Sequence, residues 1–386
     1  MKVALVRDEF DARTFKLRSA LLDAGLDANE FVRFVGYHGL YGSYASPDRT
    51  KRYRFYYDGS RFEFLLRHLA MPNALSYRHL AERLADQGYR VFHANSVTDH
   101  LAAGLIRHGS TPVITEVYDS TSLYEVKNLR AAFSPTGSSP RGTRSRLVDH
   151  IVANALEWER LSHEEAAGLV YTSREMLEYA KSMYQVRCPT VIVPNAVYGK
   201  LLPRSPPPHR LSETEGGVHL VYVGVIRDSP GGHHRDICAS LDGIARQDTI
   251  VHLYPLIPES EEERVKSRLG SNPNIRWHSP ITYQQLYREL PMFDAGLILL
   301  APFDVELLNV ALPNKIFEYA AAGLPVFVSP YKPLLSFIQE FNCGRVIQDL
   351  ESTGDRVRSW RIPFRPEFTI EHYIPALSKL YSKVAA

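Results

Sequence analysis

The sequence is short of several things, and each scarcity narrows what the chain can be. It has three cysteines, Cys188, Cys238 and Cys343, and no CxxC pair. That argues against a disulfide framework or a zinc site and fits a reducing, cytoplasmic setting. No run of about 18 apolar residues occurs, so no membrane-spanning helix is expected. The opening residues 1–8 read as a first strand and lack the apolar length of a signal peptide. Charge of one sign is not in excess either: the net charge is +2, so the molecule as a whole has no bias toward nucleic acid. No Gly-x-Gly-x-x-Gly follows the first strand, which disfavours a dinucleotide-dependent dehydrogenase. What is present is ordinary for a globular protein. Apolar residues make up 45% and charged residues 23% of 386 residues, a length that suggests about two domains.

Strand-like and helix-like segments alternate along the chain, which predicts α/β architecture with parallel sheets covered by helices on both faces. In the first half, strands are expected at 3–6, 31–35, 90–93, 112–116, 168–172 and 190–193. Helices are expected at 12–24 (closed by Gly25), 62–87 in pieces, 96–108, 148–165 and 173–184, the last capped by Ser173. A proline-rich stretch, 199–217, reads as a linker. The second half restarts with a buried strand at 219–223 ending at Gly224. Further strands are expected at 250–254, 275–277 and 295–300, and an amphipathic helix at 370–384. The domain boundaries are therefore set at 1–198, 199–217 (linker), 218–368 and 369–386. Two segments, 37–61 and 133–146, do not fit the alternation.

The most informative stretch is 312–330. Pro313 suits a first helical turn, Gly323 and Pro325 stop the helix, and Val326-Phe327-Val328 reads as a short buried strand. Lys315 and Glu318 share a face near the helix start. A helix N-terminus suits phosphate, and a carboxylate one turn on can hold a pair of sugar hydroxyls. The pattern therefore suggests a site for a nucleoside diphosphate. The plainer alternative is an exposed i,i+3 ion pair worth a few tenths of a kcal/mol.

With Pro313-Asn314-Lys315-Ile316-Phe317-Glu318-Tyr319-Ala320-Ala321-Ala322-Gly323-Leu324-Pro325 in hand, the chain resembles the GT-B glycosyltransferases of the large family 4 type. Val193-Pro194-Asn195-Ala196-Val197, the loop after Val221-Tyr222-Val223-Gly224, Phe92-His93-Ala94-Asn95, Thr115-Glu116-Val117-Tyr118-Asp119 and Asp11-Ala12-Arg13 add to the likeness. The resemblance implies two Rossmann-like domains facing each other across a cleft, with a C-terminal helix packing back on the first domain. It implies a nucleoside-diphosphate sugar as co-substrate and neither metal nor other cofactor. It further implies a metal-independent, retaining transfer to an acceptor hydroxyl of a glycan, lipid-linked sugar or small molecule. The alternative is an inactive GT-B module that binds a nucleotide sugar or glycan. Three positions depart from the family pattern. Val310 stands where many members have the first of two glutamates, with Asp304 or Glu306 nearby. The loop lysine is missing from residues 228–235, where Arg235 or a histidine can stand in. Tyr118 occupies the place of a frequent histidine.

The residues expected to bind donor are Gly224, Arg227, Asn314, Lys315 and Glu318. Those expected to serve the acceptor and the chemistry are His93, Tyr118 and Asp119, at strand ends where ligands of open α/β sheets gather. Each has a structural alternative: a turn glycine, a helix-capping aspartate, a satisfied core histidine. Gly231-Gly232-His233-His234 reads as a loop rather than a metal tract, because adjacent histidines rarely converge on one ion. Residues 51–57 interleave cations and aromatics. They suit a base-stacking strip, a sugar platform, a peripheral contact with the cytoplasmic membrane face, or simply an edge hairpin.

Overall fold

A computed structural model describes residues 1–7, 12–32, 74–95, 99–117, 120–127, 130, 143–203, 209–228, 233–246, 248–257, 261–279, 281–303, 305–353 and 356–386. The irregular stretch 37–61, the basic-aromatic run 51–57, residues 133–142, Asp11, Tyr118, Asp119, Gly231, Gly232 and Asp304 lie outside them. Among the described residues the chain forms two compact units. One holds everything up to Pro194 together with Tyr373–Ala386, and the other holds Asn195–His372.

The first unit is a parallel sheet of β1 (Lys2–Arg7), β2 (Asp27–Val32), β3 (Val91–Asn95), β4 (Val113–Val117), β5 (Gly168–Tyr171) and β6 (Thr190–Ile192). Its order is β2-β1-β3-β4-β5-β6. Every residue of β3, β4 and β5 is buried, as in a parallel sheet covered on both faces, including His93 and Asn95 of β3 and Thr115 and Glu116 of β4. β2 begins at Asp27, earlier than the hydrophobic pattern suggests, because this polar strand sits at the edge and buries chiefly Ala28. The Ser173 cap is present, its hydroxyl accepting from the Met176 amide at 3.0 Å. The helix Ile374–Ala385 belongs to this unit and buries Ile374, Leu377, Leu380 and Tyr381. It lies close against β5, where a Cβ on Gly168 would meet Leu380 at 3.0 Å and Val384 at 3.3 Å.

The second unit repeats the plan with β7 (Val218–Val225), β8 (Thr249–Leu256), β9 (Ile275–Trp277), β10 (Ala295–Ile298), β11 (Val326–Val328) and β12 (Gly344–Val346), in the order β12-β11-β10-β7-β8-β9. All pairs described are parallel. Within the expected linker, residues 204–208 lie outside the described set, and Leu211–Glu215 is a short helix. That helix is tied to its sheet by fully buried Asp294, which accepts from the Ser212 hydroxyl at 2.7 Å and the His219 amide at 2.8 Å. Buried Arg210 joins them at 3.4 Å. Strand order reverses at β1/β3 in the first unit and at β7/β10 in the second. The carboxyl ends of strands at such switch points are where ligands of open α/β sheets bind.

Candidate functional site

The second-unit switch point is built around the helix Lys315–Ala321. Its register is set by Tyr319, whose hydroxyl accepts from the Val223 amide at 3.0 Å. The Tyr319 ring lies on Gly296 of β10, where a Cβ would intrude to 2.3 Å. One helical turn earlier on the same face stands Lys315. Its ammonium therefore reaches the end of β7, 3.2 Å from the Tyr222 hydroxyl and 4.2 Å above the Tyr222 ring centroid. Gly224 makes the room. Its φ is +131°, and a Cβ there would sit 2.6 Å from Lys315 Nζ. Lys315 is nearly buried and Glu318 fully so, which removes the solvent-exposed ion-pair alternative.

Asn314 precedes the helix at φ −57°, ψ −30° and makes no side-chain cap bond. The amides of Ile316, Phe317 and Glu318 already donate to the carbonyls of Pro313 and Asn314. The helix has seven residues. The amides of residues 316–318 are thus used within the turn, and the Lys315 side chain brings positive charge to this point.

More cations stand on the loop after β7. Arg227 bonds Glu261 at 3.2 Å, and the same carboxylate accepts from the Asp228 amide at 2.9 Å. The Arg227 amide donates to the Arg235 carbonyl at 3.0 Å, which folds the loop back on itself. Arg235 Nε donates to His234 Nε2 at 3.1 Å, and its charge acts on the nearby Tyr222 phenol. Burial lowers the His234 pKa, and Arg235, His233, Lys315 and Arg227 lower it further, to about 2. The imidazole is neutral and reports a strongly positive surrounding. Burial raises the Tyr222 phenol to about 12 against the opposing pull of Arg235. Val310 is buried, and Glu306 is exposed.

At the first-unit switch point the structure places a buried charged lock. Fully buried Glu116, on β4, accepts from Arg7 Nη2 at 2.7 Å and from Arg13 Nε at 2.8 Å, with Arg13 Nη2 at 2.6 Å. Arg13 also donates to the carbonyls of Pro194 and Val193 at 2.9 and 2.7 Å, and Arg7 to that of His93 at 2.7 Å. Burial alone would raise the Glu116 pKa, but Arg13, His93 and Arg7 bring it down to about 2. His93 is fully buried here, with Nδ1 2.6 Å from the Tyr381 hydroxyl and Nε2 3.6 Å from Glu116. Burial lowers its pKa to about 3, so the ring is neutral. The structure places His93 inside this lock, so any part in chemistry runs through what it positions. Tyr118 and Asp119 follow β4 in sequence and lie outside the described residues.

Solved structures of similar shape cover the whole chain. WaaG, a glycosyltransferase involved in lipopolysaccharide biosynthesis, aligns over 100% of this chain and 98% of its own, at a TM-score of 0.57 and 14% identity. Sucrose-phosphate synthase from Thermosynechococcus elongatus aligns over 100% and 93%, at 0.53 and 13%. S. aureus MnaA in its co-structure with UDP aligns over 99% and 97%, at 0.54 and 11%. This chain has the GT-B fold. No protein-family model and no curated protein matches it. The GT-B likeness thus lives in backbone topology, with little sequence identity to carry it.

Sequence reasoning placed Gly224, Lys315 and Glu318 on the elements where the structure has them, and the structure brings Gly224 and Lys315 into contact. It missed Tyr222, Tyr319 and Gly296, which aim Lys315. The available signal was a tyrosine four residues after the lysine, opposite a strand glycine. It also missed Arg7 and Arg13 as partners of Glu116. Their signal was a buried-type strand ending in a charge, next to a helix opening with one.

Proposed function

We propose that this protein is a nucleotide-sugar-dependent glycosyltransferase that works without a metal and retains anomeric configuration, its donor held by the second unit and its acceptor by the first. The observation that carries this reading is the convergence of Lys315, Arg235 and Tyr222 beside Gly224, with Arg227 on the same loop, at the β7/β10 switch point. In the transfer, the bond between the anomeric carbon and the diphosphate oxygen breaks. A new bond forms to the acceptor oxygen, and the acceptor proton leaves. Negative charge builds on the diphosphate, while the sugar becomes oxocarbenium-like. Lys315, Arg235 and Arg227 offset that charge electrostatically in a site shielded from water. Glu318 accepts from the ribose hydroxyls, and Asn314 lines the donor beside it. Asp119, with Tyr118 next to it in sequence, takes the acceptor proton, and neutral His93 braces the end of β3. The acceptor is a hydroxyl of a glycan, lipid-linked sugar or small molecule. The setting is cytoplasmic, with contact at the membrane face where the acceptor is lipid-linked. Among the described residues, no helix is long and apolar enough to cross a membrane.

The test is a thermal-shift screen against UDP-, GDP-, dTDP- and ADP-sugars. A ligand that binds only the folded state raises its apparent stability by RT ln(1 + [L]/Kd), about 2.7 kcal/mol at a hundredfold excess over Kd. The UDP bound by S. aureus MnaA makes uracil the first base to try. One donor series is expected to raise the midpoint, and transfer is expected to survive a chelator. No shift with any of the four refutes the reading. Val310, in place of a glutamate, favours a second reading: a module that binds donor but transfers nothing. Donor binding with neither transfer nor hydrolysis, over a panel of acceptors, would decide for it.

A further inference from the structure

Three histidines stand in a row across the sheet of the second unit. His219 on β7 and His252 on β8 are buried, and His278, just past β9, is half-buried. His219 Nε2 lies 2.9 Å from the Gly216 carbonyl, and His219 Nδ1 lies 2.9 Å from His252 Nε2. His252 Nδ1 lies 2.9 Å from His278 Nε2. A carbonyl can only accept, so the His219 ring carries its proton on Nε2. Its Nδ1 is then bare, so neutral His252 donates from Nε2, and His278 does the same in turn. One carbonyl thus fixes three tautomers. The free basic nitrogen is left at the outer end, where His278 Nδ1 has no partner among the described residues. A proton added to either inner ring would set two N–H groups against each other. A proton added to His278 Nδ1 breaks no bond.

The outer ring stands toward the ligand edge of the sheet. It stacks on Tyr254 with ring centroids 4.4 Å apart and planes 11° from parallel. Tyr254 is in register with Val223, the residue before Gly224. His278 lies two strand spacings from β7, about 10 Å. Charged groups flank the row on every side. Arg276 of β9 is paired with Glu215, which adjoins the turn that His219 bonds. Glu289, from the helix Tyr283–Glu289, accepts from the Tyr254 hydroxyl. Asp294 accepts from the His219 amide and faces Arg210. Burial lowers the His278 pKa, Glu289 pulls it up, and Arg276 presses it down further. A diphosphate at the same edge adds about two negative charges. At about 10 Å, with a dielectric between those of protein and water, they favour a charged ring about tenfold. Linkage is reciprocal, so a charged ring tightens the diphosphate by the same factor.

Resting on the donor reading above, we infer that His278 is a one-proton switch on the donor site: nucleoside-diphosphate binding draws a proton onto its Nδ1, and acid tightens that binding. The proton comes from solvent, one N–H bond forms at Nδ1, and the charge stays on the outer ring. His252 and His219 are positioning residues that keep this nitrogen bare.

The experiment is calorimetric titration of wild type and His278→Gln with UDP, GDP, ADP and dTDP from pH 7.5 to 5.5. Each titration is run in Pipes and in Bis-Tris, whose different heats of ionisation count the protons taken up. The proton of the terminal phosphate enters both proteins equally and cancels in the comparison. Wild type should take up protons that His278→Gln does not, up to about one per site, and its affinity should gain up to about tenfold on the variant as the pH falls. At pH 7.5, where the ring is neutral, the two should bind within about twofold of each other. Ring-nitrogen NMR at that pH should show His278 in the Nε2–H form alone, and as a tautomer mixture in His252→Phe. Should His278→Gln fail to fold, His278→Phe, which keeps the stack on Tyr254, is read the same way. Equal proton uptake in wild type and variant, or Nδ1–H at His278 in neutral wild type, overturns this inference alone. Wild type that binds none of the four diphosphates sinks the donor reading and this inference with it.

Discussion

Replacing Glu116 with glutamine removes one negative charge from a site where two guanidiniums depend on it. Arg7 and Arg13 make contacts of 2.6–2.8 Å to its two oxygens, and all three side chains are at most 5% exposed. Glutamine keeps the shape but offers one acceptor oxygen and an NH2 group that faces N–H donors. Removing one partner from a buried ion pair costs about 3–5 kcal/mol, because the remaining charge stays out of water. A typical total stability is about 5–15 kcal/mol. For a unit of about 200 residues, each kcal/mol moves the midpoint roughly 2–4 °C, so Glu116→Gln should lower Tm by about 6–20 °C. Differential scanning calorimetry at pH 7 measures this directly. The effect should depend on acid in a set direction. The folded-state pKa of Glu116 is about 2, below its ordinary 4.5. Its contribution is therefore complete above pH 4.5 and is lost as the pH falls toward 2. A drop under about 2 °C at pH 7 would refute the reasoning and mean that water or a relaxed backbone satisfies both arginines.

Three further outcomes are expected. His93, His234 and His252 are held neutral by burial, with pKa values of about 3, 2 and 3 against an ordinary 6.5. The unfolded chain then takes up protons that the folded chain refuses once the pH falls below 6.5. Each group costs about 1.4 kcal/mol per pH unit, so the three together remove on the order of 8 kcal/mol by pH 4.5. Denaturant midpoints should fall steeply over that window, and a flat profile would show that the rings can charge in place. Gly224→Ala forces a side chain onto φ +131° and pushes the Lys315 ammonium aside. Titration should show weaker nucleoside-diphosphate binding, with a stability loss of about 1–3 kcal/mol, and unchanged affinity would remove Lys315 from the site. Lys315→Ala and Glu318→Gln should abolish transfer while shifting Tm by no more than about 3 °C, as radiolabelled-donor assays and melting curves would show; loss of folding instead would make both residues structural.

Much of the fold could be read from the chain because parallel strands covered on both faces leave unbroken apolar runs, as in β5, β10 and β11. β2 was read late because an edge strand needs little apolar surface, so Asp27 to Glu30 carry no pattern. The Lys315–Ala321 helix was placed by its proline, glycine and short strand, which are local signals. The origin of its positive charge was not legible. Whether an amide is open depends on the turn made by Pro313 and Asn314, and whether Lys315 points at β7 depends on Tyr319 meeting Gly296. Both are contacts between segments distant in sequence. The same limit hid the arginine–glutamate lock: Arg7, Arg13 and Glu116 are each unremarkable alone, and only strand order brings them together.

The helix Ile374–Ala385 lies across Gly168 and joins Tyr381 to His93, so the first unit is complete only when that helix arrives. During synthesis the whole of Asn195–His372 intervenes. At about 5–20 residues per second, that is a delay on the order of ten seconds or more. For that interval the nascent chain carries an apolar seam along β5 and an unmatched His93, open to chaperones or to a neighbouring polypeptide. The described residues of the second unit all lie between Asn195 and His372, so the half made later has no such wait and is free to fold first.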